Sequence, residues 1–473
     1  MSDVTTTGVG FETLPLSAPV LANLAQLEYR TMTPIQALAL PTMLEGKDVL
    51  GQAGTGTGKT AAFGLAVLAR TTPLCGRPGA LILCPTRELA AQVADELRRL
   101  ARPMAHTKVI TLSGGTAVHR EAASLAHGVD IIVGTPGRVQ DHLARGRLDL
   151  GAIRTLVLDE ADRMLEMGFV EVVREIVAAT PTWRQTLLFS ATFPEAVRAM
   201  SASLQREAVH VAAPVDDAAA RVTQLLYDTG GDRVAALRAV LGHHRPASAV
   251  IFCNQRETCD VVAKALADAG LSAIALHGGM DQHDRNTVLL LLKNGSARLV
   301  IATDVAARGL DIDDLGAVIN YELPRDLDTF VHRIGRTARA GRHGLAVSLV
   351  EDRDRHALAT LRGGPLGETA VSPLPPPSAE PLPPPPNVTL AIQAGRHERL
   401  RPGDILGALT NEVGLAAADI GQITILDRIS FVAIAAAQGP KALAGINAGR
   451  IKNQRFRAYE VIAPGAEGPR APR

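Results

Sequence analysis

The residues best suited to chemistry stand early in the chain, at Ala53, Gly54, Thr55, Gly56, Thr57, Gly58, Lys59 and Thr60. A short apolar run, Val49-Leu50, leads into them, and a helix-forming run from Ala61 to Leu68 leads out. Strand, glycine loop, Gly-Lys-Thr and helix form the setting of a phosphate-binding loop. The glycines let successive N–H groups turn inward around phosphate oxygens, because no Cβ opposes a positive φ. The following helix directs the positive end of its dipole at the same anion. Lys59 is placed to reach the β- and γ-phosphates of a nucleotide, and the Thr60 hydroxyl to hold Mg2+. Ala53 stands where such loops usually begin with glycine. Lysine is scarce in this arginine-rich chain, so a lysine here is no accident of composition.

A second chemical group follows the apolar run Leu156-Val157-Leu158. Asp159, Glu160, Ala161 and Asp162 put acids at the carboxyl end of a buried strand, where open α/β sheets bind ligands. Asp159 is positioned to hold Mg2+, and Glu160 to orient and deprotonate a water attacking the γ-phosphate. Acids after a strand also commonly cap helices. Their place behind a phosphate loop in the same domain is what makes them read as catalytic.

Both groups need a scaffold that brings strand ends together, and the apolar pattern provides one. The run from Ala80 to Cys84 is apolar throughout, as a parallel strand buried on both faces requires. Further strands are expected at 108–112, 131–133, 155–158 and 185–189, alternating with helical segments. That alternation predicts a doubly wound α/β domain. An amphipathic lead-in covers 11–27, and Thr33-Pro34-Ile35-Gln36 opens a helix ending near Gly46. Over 206–221 the pattern lapses into an Ala/Asp-rich connector. A second alternating series has strands at 223–227, 249–252, 272–276, 298–301, 317–320 and 344–349, without a glycine-lysine loop. Two like domains, of which one binds a nucleotide unaided, point to a site completed across their cleft.

The stretch 371–386 is dominated by Ser, Glu and Pro and reads as a stiff, partly polyproline-II spacer. A proline-rich ligand for a partner is the alternative. Beyond it, strands at 388–393, 420–426, 429–435 and 455–461 and helices at 401–412 and 440–447 give the order βαββαβ. That order belongs to ferredoxin-like modules, RNA-recognition domains among them. The expected organisation is therefore a lead-in (1–32), a first parallel-sheet α/β domain (33–208) and a linker (209–221). A second α/β domain of like layout (222–356), a Pro-rich linker (357–387), a small α+β module (388–464) and a flexible tail (465–473) complete it.

Composition bounds the reading. Of 473 residues 47% are hydrophobic and only 3% aromatic, so two or three domains are expected with cores of Ala, Leu, Val and Ile. No apolar run approaches the length of a membrane span, and Met1 to Gly10 lack the parts of a signal peptide. Cys75, Cys84, Cys253 and Cys259 form no C-x-x-C pair, so neither a structural metal nor a disulfide framework is indicated. Cys84 and Cys253 read as buried small hydrophobes, and a reduced cytoplasm is the expected location. The net charge of +1 divides unevenly: from Val388 onward eleven Lys/Arg face seven Asp/Glu, and the preceding part carries −3. Between Arg428 and Tyr459 lie six basic residues and no acidic one, the kind of field that nucleic-acid binding requires.

Asp159 to Asp162 spell the signature of the DEAD-box RNA helicases, and the chain resembles that family from about Phe11 to Val350. The resemblance implies two tandem RecA-like parallel-sheet domains, at 33–208 and 222–356, with ATP and Mg2+ as cofactors and RNA as partner. Thr33-Pro34-Ile35-Gln36 resembles the adenine-reading motif, with Gln36 bonding the base and Phe11 stacking on it. The segment Ala53 to Thr60 matches the family's phosphate loop, alanine included. Pro85-Thr86-Arg87, Gly114-Gly115 and Thr135-Pro136-Gly137-Arg138 look like first-domain RNA-backbone contacts. Ser190-Ala191-Thr192 matches the motif that couples nucleotide state to RNA. In the second domain Phe252-Cys253-Asn254, His277-Gly278-Gly279, Gln282, Arg285 and Thr303 fall where RNA contacts are expected; a satisfied turn histidine is the lesser alternative for His277. Gly309 and Asp311 fall in the segment that serves the ribose. His332, Arg336 and Arg339 match the arginine-finger motif, His332 as a coupling residue, with Ala338 where a glycine is usual.

The C-terminal module has its own resemblance, to the RNA-binding domain of DbpA-like bacterial helicases. It rests on Asp404 to Leu409, Asp419-Ile420-Gly421, Ser430 to Ile434 and Gly449-Arg450-Ile451-Lys452. That group recognises a hairpin of large-subunit ribosomal RNA and acts in ribosome assembly, which implies pre-ribosomal particles as partners. The aromatic stacking pairs of a standard RNA-recognition sheet are absent. Lys441, Arg450, Lys452 and Arg455, with Arg428 and Arg457, are the expected RNA contacts; the alternative is a solvated basic face. The function expected is RNA-stimulated ATP hydrolysis driving local unwinding of short RNA duplexes. The rivals are a general RNA helicase without a ribosomal target, a DNA-directed motor and an ATP-gated RNA clamp. Oligomeric state stays open between a monomer and a dimer formed without the C-terminal module.

Overall fold

The computed structural model describes residues 8–54, 56–73, 76–115, 118–213, 222–307, 315–337, 343–364, 366–376, 380 and 382–464. They form two compact units, which meet in sequence between residues 213 and 222.

The first unit contains β1 (Val49–Gln52), β2 (Ala80–Leu83), β3 (Val109–Leu112), β4 (Ile131–Gly134), β5 (Thr155–Leu158), β6 (Gln185–Ser190) and β7 (Val209–Ala212). All pair in parallel, in the order β3-β4-β2-β5-β6-β1-β7. Helices cover both faces, which is why the central strands carry unbroken apolar runs such as Leu156-Val157-Leu158 and Leu187-Leu188-Phe189. Ile82 and Val157 join a core with Phe63, Leu65 and Leu97, while Leu81, Leu83, Leu156 and Leu158 join a second core with Met164 and Ile176. Each such Leu or Ile contributes about 1.5–3 kcal/mol by leaving water. The sheet reaches past the expected boundary: Val209–Ala212, in the stretch read as a connector, pairs with Val49–Gln52.

The second unit repeats the layout with β8 (Val222–Asp228), β9 (Ala249–Cys253), β10 (Ala273–Leu276), β11 (Leu299–Thr303), β12 (Ala317–Asn320), β13 (Gly344–Val350) and β14 (Val371–Ser372). Their order, β10-β11-β9-β12-β13-β8-β14, is that of the first sheet strand for strand. The place of β7 is taken by β14, a piece of the proline-rich stretch. Leu374 and Leu382 of that stretch pack on the core around Leu237 and Ile251, Glu380 pairs with Arg245, and Arg298 Nη2 donates to the Pro384 carbonyl at 3.1 Å. The described part of the spacer is therefore laid along this unit rather than strung between domains.

The same unit carries the small module: β15 (Asn387–Ile392), β16 (Ile420–Ile425), β17 (Ser430–Ala435) and β18 (Ala458–Glu460). They form an antiparallel sheet in the order β16-β17-β15-β18, with Pro402–Gly407 and Gly439–Ala448 as its helices. This is the βαββαβ arrangement read from the sequence. Leu390, Ile392, Val432 and Ile434 face its core. On the opposite face Thr389, Ala391 and Ala433 are also buried. Thr389 Oγ1 accepts from Asn294 Nδ2 at 3.0 Å and meets Ser296 Oγ at 2.8 Å, and Asn387 Nδ2 donates to the Asn294 carbonyl at 2.9 Å. The sheet face that would stack bases is thus partly occupied by the turn after the helix Gln282–Lys293.

Candidate functional site

The phosphate loop emerges from β1 and ends at the helix Lys59–Arg70. Gly56 and Gly58 have φ of 76° and 89°, and a Cβ on Gly58 would lie 2.5 Å from Gln36 Nε2. Glycine is required there on both counts. Gln36 reaches the loop through a capping box: Thr33 Oγ1 accepts from Gln36 N–H, and Gln36 Oε1 accepts from Thr33 N–H at 2.9 Å. The amide left over, Nε2, donates to the Gly58 carbonyl at 3.1 Å. Phe11 is buried against Tyr29, ring centroids 6.3 Å apart. Tyr29 in turn donates to Glu96 at 2.8 Å; burial, aided by that carboxylate, pushes its phenol well up. Ala53 is buried, Gly54 and Gly56 are exposed, and Thr57 and Thr60 are half-buried. Thr55 lies outside the described residues.

Lys59 is 6% exposed and its Nζ makes no hydrogen bond; Asp159 Oδ1 stands 3.9 Å away. Burial raises the Asp159 carboxyl above its ordinary range, against the pull of Lys59. An ammonium without hydrogen bonds beside a desolvated carboxylate is an electrostatically unfinished site. Phosphate oxygens would satisfy the first and a divalent cation the second, so the residues fit a Mg2+-bound nucleotide. Glu160 adopts a left-handed conformation, φ 54° and ψ 56°, as the chain turns from β5 into the helix Ala161–Glu166. Non-glycine residues seldom adopt it, and such strain collects where a side chain must be aimed.

Asp162 collects the coupling segment. Its Oδ2 accepts from Thr192 N–H and Thr192 Oγ1, both at 3.0 Å, and its N–H donates to Ser190 Oγ at 3.2 Å. Ala53 N–H donates to the Ser190 carbonyl at 3.1 Å, so the phosphate loop, the acid turn and Ser190–Thr192 share one network. The sequence reading gave Asp162 no role of its own, although it stands fourth in the signature it identified.

The segments expected to touch RNA backbone in this unit follow β2, β3 and β4. Pro85 and Thr86 are buried, Thr86 Oγ1 capping the helix Arg87–Leu100, and Arg87 is exposed. A Cβ on Gly114 would lie 2.3 Å from Arg87 Nη2, so glycine there is the seat of that guanidinium. Gly115 has φ 96°. Thr135 precedes the helix Pro136–Ala144, in which Gly137 is exposed and Arg138 pairs with buried Glu121 at 3.3 Å.

In the second unit Arg333 is the structural centre of the finger segment. It is 1% exposed and donates to Asp304 twice at 2.7 Å, to Asn254 Oδ1 at 2.8 Å, to Asn320 Oδ1 at 3.1 Å and to the Glu322 carbonyl at 2.7 Å. Its guanidinium also lies over the Phe252 ring at 5.0 Å. His332 is half-buried and Arg336 buried on either side of it. The sequence reading gave Arg333 no role, although it lies between His332 and Arg336, which that reading named. Thr303 is buried at the end of β11, and Gln282 and Arg285 lie on the helix capped by Asp281. His277 Nδ1 accepts from Gly279 N–H at 3.2 Å, which leaves Nε2 to donate to Asp260 Oδ1 at 3.0 Å on the helix Arg256–Asp268, so both ring nitrogens are engaged within the protein. Gly309, Asp311 and Arg339 lie outside the described residues, as does Ala338.

In the C-terminal module Lys441, Arg450, Lys452 and Arg455 are all exposed. Two are already engaged: Lys441 Nζ donates to the Gly414 carbonyl at 2.9 Å, and Lys452 Nζ lies 3.2 Å from Asp404.

Known proteins share this arrangement. Residues 33–200 match the DEAD/DEAH box helicase family, 232–341 the helicase conserved C-terminal domain and 389–459 the DbpA RNA binding domain. The chain is 46% identical over 450 residues to the ATP-dependent RNA helicase DbpA of Escherichia coli (strain K12), covering 94% of this chain and 98% of that one. It is 34% identical over 482 residues to the protein of the same name from Bacillus subtilis (strain 168), covering 95% and 99%. Among solved structures, S. cerevisiae Dbp5 bound to RNA and ADP BeF3 is similar with a TM-score of 0.70 at 30% identity, covering 77% of this chain and 95% of that one. Likeness along nearly the full length of both chains settles the family: the chain belongs to the DEAD-box ATP-dependent RNA helicases, in their DbpA-like group, and is an ATP hydrolase that acts on RNA.

Proposed function

We propose that this helicase works on large-subunit ribosomal RNA in pre-ribosomal particles, its C-terminal module acting as the address. The basic stretch from Arg428 to Arg457 and the match to the DbpA RNA binding domain support that reading. With the sheet face partly covered by Asn294 and Ser296, recognition falls to the exposed basic side chains Arg450, Lys452 and Arg455 and to Lys441, rather than to base stacking.

For the reaction, Lys59 and the N–H groups of the phosphate loop would bind the phosphates, while Thr60 and Asp159 would hold Mg2+. A cation held there would neutralise phosphate charge. Glu160 orients the attacking water and takes its proton; Gln36 and Phe11 read the base, and Gly309 and Asp311 the ribose. Arg336 and Arg339 stabilise the charge of the transferring phosphoryl group, a contribution of ~10³–10⁵ in rate. Arg336 belongs to the second unit, so turnover depends on that unit's recruitment. Asp162, through Ser190 and Thr192, carries nucleotide state toward RNA, with His332 serving on the other unit. RNA backbone is held by Pro85, Thr86, Arg87, Gly115, Thr135, Pro136, Gly137 and Arg138, and by Gln282, Arg285 and Thr303. By linkage, RNA and ATP then strengthen each other's binding.

The observation that carries the catalytic part is Lys59, a buried ammonium without a hydrogen bond beside Asp159. Glu160→Gln, which keeps shape and removes the base, is expected to lower RNA-stimulated ATP turnover by at least about a hundredfold. Unchanged turnover would remove Glu160 from the mechanism.

A further inference from the structure

Away from the phosphate loop, the first unit buries a carboxylate between two helices. Glu121, on Val118–Ala126, is 4% exposed. Its Oε2 lies 3.3 Å from Arg138 Nε and 2.9 Å from His142 Nε2. Arg138 and His142 stand one turn apart on Pro136–Ala144, so a single oxygen gathers both. His142 is fully buried, and neither its Nδ1 nor Glu121 Oε1 has a hydrogen-bond partner. Burial of these groups is thus incompletely compensated, and an apolar pair of similar volume would serve packing at least as well. The cluster also joins two segments with one assignment. Glu121 follows Gly114-Gly115 on the next helix, and Arg138 follows Thr135-Pro136-Gly137.

We propose that Glu121 is a positioning residue for RNA: it fixes the Arg138 guanidinium through Nε, with His142 bracing the carboxylate. The inference rests on the assignment of Arg138 to RNA backbone. Asp141, 4.0 Å from Arg138 Nη1 on the same helix, limits swing on the other side. Removing the Glu121 charge gives the inference a definite sign. A carboxylate near an RNA path repels phosphate, so field effects alone predict tighter binding without it. Positioning predicts weaker binding.

The test measures binding of a single-stranded RNA oligonucleotide to the full chain, with a non-hydrolysable ATP analogue, across a salt series. R138A is expected to weaken binding about tenfold and to reduce the slope of log Kd against log salt by about one. E121Q is expected to weaken binding about fivefold, with the slope moving the same way. The double variant E121Q/R138A is expected to be no weaker than R138A. In ATP turnover, the loss in E121Q falls on half-saturating RNA and not on kcat. R138K, which leaves Glu121 and His142 in place but has no Nε–H, reproduces the E121Q loss without disturbing the buried pair. Binding by E121Q as tight as the parent, with R138A impaired, would overturn positioning while leaving the Arg138 contact. Additive losses in the double variant, or R138K binding like the parent, would overturn it as well. No effect of R138A would remove the RNA assignment and the inference with it.

Discussion

Lys59 and Asp159 show how much a single pair of residues decides. Both are buried, Lys59 Nζ without a hydrogen bond and Asp159 with the Glu160 N–H on its Oδ1, and each is relieved by what the proposed reaction brings. The same logic assigns roles to neighbours. Gly114→Ala would drive a Cβ into Arg87 and displace its guanidinium; half-saturating RNA in ATP turnover is expected to rise about tenfold, with the KM for ATP unmoved. Thr192→Val removes one of the two bonds from Thr192 to Asp162; strand separation per ATP hydrolysed is expected to fall more than hydrolysis itself, read by unwinding and turnover on one sample. Arg333→Ala strips Asp304, Asn254 and Asn320 of their buried partner, and a loss of about 3–5 kcal/mol is expected in denaturant unfolding. The residues proposed for catalysis stand out in the sequence because their types and spacing are chemistry in themselves. Arg333 and Glu121 do not, since a buried charge is recognised by its partners, and those come from distant segments.

At the scale of elements, legibility followed burial. Strands such as Ala80–Leu83 and Ala249–Cys253 are apolar throughout because helices cover both faces, and their runs stand out in the sequence. Two edge strands did not. Val209–Ala212 alternates exposed and covered residues over a single turn of pattern, and Val371–Ser372 is two exposed residues in a proline-rich stretch. Each is defined by the strand beside it rather than by its own composition. The same holds for Thr389, an unremarkable strand residue until Asn294 and Ser296 meet it. Thr389→Val leaves the Asn294 amide without its acceptor, at a cost of about 1–3 kcal/mol. Calorimetry of the full chain is expected to show the C-terminal module melting earlier, with the transition of the first unit unmoved.

For the whole molecule, the proposed reading divides the labour of an RNA helicase among the two sheets with one strand order and the small antiparallel module: nucleotide chemistry, a second set of RNA and finger residues, and an address. The sheet seat on Asn294–Ser296 and the strap through Leu374, Leu382 and Pro384 attach the small module along a surface, not at a single covalent point. ATP turnover by the full chain with no nucleic acid, with generic RNA and with RNA containing the large-subunit hairpin tests this division most directly. The account predicts low turnover alone, stimulation by generic RNA and the strongest stimulation at the lowest concentration by the hairpin-bearing RNA. Turnover that is the same with and without RNA would contradict it.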